Sequence, residues 1–150
     1  MKISARLLSI ALTFFICTAL TAQEKTEITF HKSHIPSRNN APFSEAVQAG
    51  NLFFLAGQIG FDRAAGYMAE GGIKGETEQV IKNIQAVLKH HDLALDNVVK
   101  CTVILSDIED FKAFNEVYTQ YFTKKPARTT FAAKGLAVGA KIEIEVIAVR

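Results

Sequence analysis

Apolar residues recur at helical spacing through residues 76–91. Val80, Ile81, Ile84, Val87 and Leu88 share one face, while Lys82, Asn83, Gln85 and Lys89 turn away from it. This predicts a helix over Glu76–His91 lying one-sidedly on a sheet. Val98–Leu105 alternates, with Val99, Cys101, Val103 and Leu105 on one side and Lys100, Thr102 and Ile104 on the other, as a strand does. Ser106 and Glu109 then match a capping box that opens a second helix. Its broad apolar face comprises Ile108, Phe111, Phe114, Val117, Tyr118 and Tyr121, and Lys124-Lys125-Pro126 ends it.

Strand patterns flank these helices. Ala46–Ala49 and Leu52–Ala56 read as a hairpin around Gly50-Asn51, with Gly57 and Gly60 ending the second strand. Ile28-Thr29-Phe30 reads as a short edge strand, and 61–75 as a glycine-containing loop with a short strand near Tyr67-Met68. Thr129–Ala132 and Ile142–Val149 complete the set, the last with one wholly apolar face. The order predicts an α+β domain, a mixed β-sheet with two helices packed on one face. Several strands are apolar on both sides, so the uncovered sheet face is expected to meet another subunit.

The first residues differ from this domain. Lys2 and Arg6 precede an apolar run from Leu7 to Leu20, the pattern of a signal peptide over residues 1–22, with cleavage within 19–23. The run is short for a membrane span, which needs roughly 17 to 25 apolar residues. Phe15-Ile16 before Cys17 lacks the small residue that lipid attachment would call for. The expectation is an exported protein, secreted or periplasmic and bacterial in type, whose single domain occupies residues 23–150. Without residues 1–22 the 17 basic residues lose Lys2 and Arg6 and stand level with the 15 acidic ones. That balance argues against nucleic acid as a partner. Cys101 alone remains of the cysteines, so no internal disulfide forms.

Candidate chemistry is sparse. Arg128 stands at a loop-to-strand junction after Pro126-Ala127, and Glu143 begins the last strand. If their strands are neighbours the two side chains can share a cleft, the arginine gripping a planar carboxylate and the glutamate holding a water. On spacing alone a structural salt bridge is the simpler reading. Cys101, on an apolar strand face, reads as core. His31-x-x-His34 lacks an obvious third ligand, so no metal is expected. His90-His91 reads as a cationic helix end.

Pro126-Ala127-Arg128-Thr129-Thr130-Phe131 followed by Ile142-Glu143-Ile144-Glu145-Val146-Ile147-Ala148-Val149 resembles the C-terminal signature of the RidA family, the YjgF-like reactive-intermediate deaminases. The likeness extends back through Asn115-Glu116-Val117-Tyr118, Asn97–Lys100, Gln79–Leu88 and Leu55–Gly60, and covers about residues 40–150. It implies a chorismate-mutase-like fold assembled as a homotrimer around a barrel of sheets, with ligand clefts between subunits. It also implies hydrolysis of 2-imino or enamine acids, such as 2-iminopropanoate, to 2-oxo acids and ammonia without a cofactor.

Carried over, Arg128 clamps the substrate carboxylate, Glu143 holds the attacking water, and Gly57 lines the cleft by its backbone. Asn115 lies near the interface and site, where a structural role is equally open. The chain departs from the pattern at Phe43, where the family has a tyrosine, at Thr130, where a cysteine is common, and at Ala137, which replaces a proline. Lost hydroxyl and thiol groups put substrate preference at issue. Two other functions stay open: a non-catalytic module binding small carboxylates in the same clefts, and an endoribonuclease, which the neutral charge disfavours.

Overall fold

The computed structural model describes residues 25–150. The expected signal segment, residues 1–22, lies outside the described residues. Among the described residues eight strands and two α-helices follow in the order β1 (Ile28–His31), β2 (Ala46–Ala49), β3 (Leu52–Ile59), β4 (Phe61–Asp62), β5 (Tyr67–Met68), α1 (Gly72–His90), β6 (Val98–Leu105), α2 (Phe111–Tyr121), β7 (Ala127–Ala132) and β8 (Ile142–Val149). Six strands form one sheet in the order β1-β2-β3-β8-β6-β7, and β4 and β5 form a separate hairpin. All pairs in the large sheet are antiparallel except β6 with β7, which α2 connects as a crossover.

The α+β reading of a mixed sheet carrying two helices therefore holds, but the barrel does not. A barrel closes only when its first and last strands pair. Here β1 and β7 lie at opposite ends of an open sheet and are not hydrogen-bonded to each other.

The core lies between the helices and one sheet face. Val80, Ile81, Ile84, Val87 and Leu88 of α1 are buried against Phe53, Leu55, Val103, Ile144 and Val146. Each large side chain so removed from water contributes about 2 kcal/mol. The opposite face stays apolar and open. Register aligns Phe30, Val47, Phe54 and Ile147 in one row across four strands, and Phe30 and Phe54 are 70% and 42% exposed.

Several local expectations are corrected. The first helix starts at Gly72 rather than Glu76. Asn83 does not face solvent: it is buried, and its amide donates to the carbonyls of Ile59 and Phe61, both at 3.0 Å, tying α1 to the end of β3. Asp107, not Ser106, caps the second helical segment, its carboxylate accepting from the Glu109 N–H at 3.0 Å. Val99 leaves the apolar face of β6 because the register against β8 slips between Val98 and Lys100, and it is 46% exposed. Nor does Gly57 end its strand, since β3 continues to Ile59. Ala56 and Gly57 together oppose the single residue Glu145, a β-bulge that redirects the strand.

Candidate active site

Strand register decides where each candidate side chain points. His31, Ala46, Leu55, Val146, Cys101 and Arg128 form one row across the sheet. Ala46, Leu55, Val146 and Cys101 in that row are buried under the helices, so Arg128 is on the helix-facing side. Its guanidinium lies 4.6 Å from the Tyr118 ring centre, 5.1 Å from Phe114 and 5.7 Å from Phe111. The sequence pattern assigned these three rings to the core face of α2. They serve that core and also attract the cation to their π-faces, worth about 1 kcal/mol per well-placed ring.

Glu143 belongs to the other side. It lies between Ile142 and Ile144, both fully buried on the helix face, so it projects from the open face, in register with Ile104. Its carboxylate crosses the Gly57 backbone, where any side chain on residue 57 would collide with it. Only a glycine permits that approach. Burial, and then the neighbouring Glu145 charge, raise the Glu143 pKa above its ordinary value.

The expectation that Arg128 and Glu143 share a cleft within the chain is therefore overturned. They are two strands apart, on opposite faces of the sheet. The salt-bridge reading falls as well, because the ion pairs among the described residues are His34–Glu45 and Lys74–Glu116.

Arg128 does line a cleft, of about 560 Å³, with Asn115, Tyr118, Thr119, Phe122, Thr123, Lys125 and Pro126. Asn115 and Arg128 are thus brought together. Thr130, two residues further along the same side of β7, has a buried Oγ1 without a hydrogen-bond partner among the described residues. Phe43 stands apart, 52% exposed, with the Arg38 guanidinium 5.8 Å from its ring centre. The sequence reading missed Tyr118 and Lys125 as cleft residues. Burial raises the Tyr118 phenol beyond its ordinary range and raises the Cys101 thiol too, so both stay neutral beside Arg128. Cys101 is fully buried, in keeping with a core residue.

The four histidines converge elsewhere. His31 and His91 ring centres are 4.6 Å apart, His90 and His91 5.2 Å, and His34 and His90 5.4 Å. Glu45 accepts from the His34 backbone N–H at 2.9 Å and from Ser33 Oγ at 2.7 Å, and pairs with His34 Nδ1 at 2.6 Å. Among the described residues no three histidine, cysteine or carboxylate side chains are grouped to hold a metal ion.

A family profile described as "Endoribonuclease L-PSP" matches residues 35–150. A RutC family protein of Pyrococcus horikoshii is 45% identical over 108 residues, 71% of this chain and 86% of that one. The chain belongs to the RidA/YjgF family. The human 2-iminobutanoate/2-iminopropanoate deaminase, another relative, is 41% identical over 110 residues, 73% of this chain and 80% of its own. Among solved structures, RidA from an Antarctic Psychrobacter superposes with a TM-score of 0.70 at 31% identity, covering 85% of this chain and all of the other. The Psychrobacter structure shares the fold that carries Arg128 and Glu143, and the family profile's region contains every candidate site residue.

Proposed function

We propose that the protein hydrolyses small 2-imino or enamine acids to 2-oxo acids and ammonia, without a cofactor, in a cleft completed between two copies of the chain. The observation that carries this reading is Arg128: a half-buried guanidinium, outside the ion pairs of the described residues, facing a cleft wide enough for a small metabolite. A permanent cation in such a place suits a carboxylate ligand. The human relative's name supports the imine as the reacting group.

In the proposed reaction Arg128 and Asn115 of one copy hold the substrate carboxylate. Gly57 and Glu143 come from the open sheet face of a second copy. Glu143 takes a proton from water as the oxygen bonds to the imine carbon. That proton then goes to the nitrogen, giving a carbinolamine; Glu143 next carries the carbinolamine's hydroxyl proton to the nitrogen as the C–N bond breaks, leaving the 2-oxo acid and ammonia. One water is consumed, and electrons need no outside acceptor. Imines hydrolyse readily, so orientation and a well-placed base account for the catalysis required.

Assembly is supported by the opposed directions of Arg128 and Glu143, and by the open apolar row of Phe30, Val47, Phe54 and Ile147. A homo-oligomer is proposed, three copies being the number the resemblance implies. Phe43 and Thr130 are the proposed sources of altered substrate preference. Export is proposed from the pattern of residues 1–22, which would place the reaction outside the cytoplasm.

Purified protein assayed on imines made in situ by an amino-acid oxidase tests the activity. A rate above buffer that falls with Arg128→Ala supports it. No rate above buffer on any of several imines overturns it in favour of a carboxylate-binding module.

A further inference from the structure

The Arg128 cleft contains a second cation. Lys125 lines it together with Arg128, and the other lining residues are Asn115, Tyr118, Thr119, Phe122, Thr123 and Pro126. No carboxylate stands among them. Tyr118 is held neutral by burial, so nothing in the wall offsets the two positive charges. Neither takes part in the ion pairs of the described residues, His34–Glu45 and Lys74–Glu116.

The backbone of Lys125 is held in place. Its backbone N–H donates to the Phe122 carbonyl at 3.1 Å, Pro126 follows it, and its φ is +53°. That left-handed conformation is one a glycine or asparagine adopts with less strain. Lys125 is exposed and borders the cleft that Arg128 enters from β7.

Two unpaired cations of different kinds on one small cleft select for two anionic groups. Arg128, held among its three rings, offers a planar fork to a carboxylate, whereas Lys125 offers a mobile point charge. We propose that the preferred ligands are dicarboxylates, namely imines derived from acidic amino acids. The carboxylate next to the imine carbon sits on Arg128 and the distal carboxylate on Lys125. Turnover of such a substrate consumes one water and releases one ammonia and a 2-oxo dicarboxylate, with no change of oxidation state. The assignment rests on Arg128 as the carboxylate clamp, and narrows the substrate class of that site.

Equilibrium binding separates this assignment from the deaminase reading. Titration calorimetry on the full oligomer would compare 2-oxoglutarate with 2-oxobutanoate. The dicarboxylate is expected to bind about fivefold more tightly, the margin of one exposed charge pair, and to lose that margin at high salt. Lys125→Ala is expected to bring the ratio to about one, and Lys125→Arg to keep it. Lys125→Gly, which relieves the positive φ, controls for folding and is expected to behave as Lys125→Ala does. Equal affinities in the unaltered protein would overturn the assignment, as would a preference that survives in both Lys125→Ala and Lys125→Gly. A preference that follows Lys125 in a protein that hydrolyses neither the alanine- nor the glutamate-derived imine supports dicarboxylate selection by Arg128 and Lys125 and removes the deaminase reading and, with it, the imine as ligand.

Discussion

Gly57 and Glu143 are complementary in shape: the carboxylate of the one occupies the space where a side chain on the other would stand. The bulge at Ala56–Gly57 exposes the backbone, and the absent Cβ lets Glu143 lie over it.

Gly57→Ala is therefore expected to separate activity from stability. The displaced group is the end of a flexible side chain, so the melting temperature should move by less than about 4 °C. The carboxylate loses its position, and kcat/KM on imines should fall about 100-fold. Parallel melting curves and kinetics check this, and full activity in a folded Gly57→Ala protein would remove Glu143 from the proposed site.

Glu143 has its pKa raised, first by burial and second by Glu145. A water-holding base must be ionised, so the rate should climb with pH through a midpoint above the ordinary carboxylate value of 4.5. Glu145→Gln removes the like charge and should move that limb to lower pH. A limb unmoved by Glu145→Gln and retained in Glu143→Gln belongs to some other group.

Arg128→Lys keeps the charge but not the fork, nor the stacking on Phe111, Phe114 and Tyr118. The expected result is a kcat/KM loss of about tenfold or more, carried mainly by KM. Steady-state kinetics with an unchanged KM would argue that the guanidinium is packing rather than clamp.

His91 titrates below its ordinary value of 6.5, first because it is buried, then because His31 and His90 would repel its charge; Arg150 adds repulsion and Glu45 partly offsets it. The folded state thus takes up this proton less readily than the unfolded chain. The neutral ring's full contribution is present above 6.5 and is lost as pH falls from there through the depressed folded value. Urea unfolding at pH 7.5 and pH 5.5 should show the lower stability at pH 5.5. In His91→Phe that difference should shrink, and an equal pH difference in both proteins would assign it elsewhere.

Asn83 closes two carbonyls, that of Ile59 at the end of β3 and that of Phe61 at the start of β4. Asn83→Leu leaves both without that donor in a part-buried site and should cost about 2 kcal/mol in urea unfolding. A loss within error would mean that other groups or water replace the amide.

The pattern of apolar positions was sufficient for the helices on one sheet face, because periods of two and 3.6 residues report directly which side of a strand or helix is dry. Val80, Ile84 and Leu88, or Ile142, Ile144 and Val146, need no neighbour to be recognised as core. The motif around Arg128 and Glu143 was likewise sufficient for the family. What the chain in one dimension leaves open is pairing. Whether Arg128 and Glu143 meet depends on β6 lying between β7 and β8, and on which residues stand level across the three strands. A shift of one residue reverses a side chain's face. The bulges at Val99 and Gly57 are such shifts, set by the opposing strand, and the amide of Asn83 found its carbonyls only once β3 had passed under α1. Residue type and spacing determined the elements and the chemical groups; tertiary register alone decided that Arg128 and Glu143 point from opposite faces of the sheet.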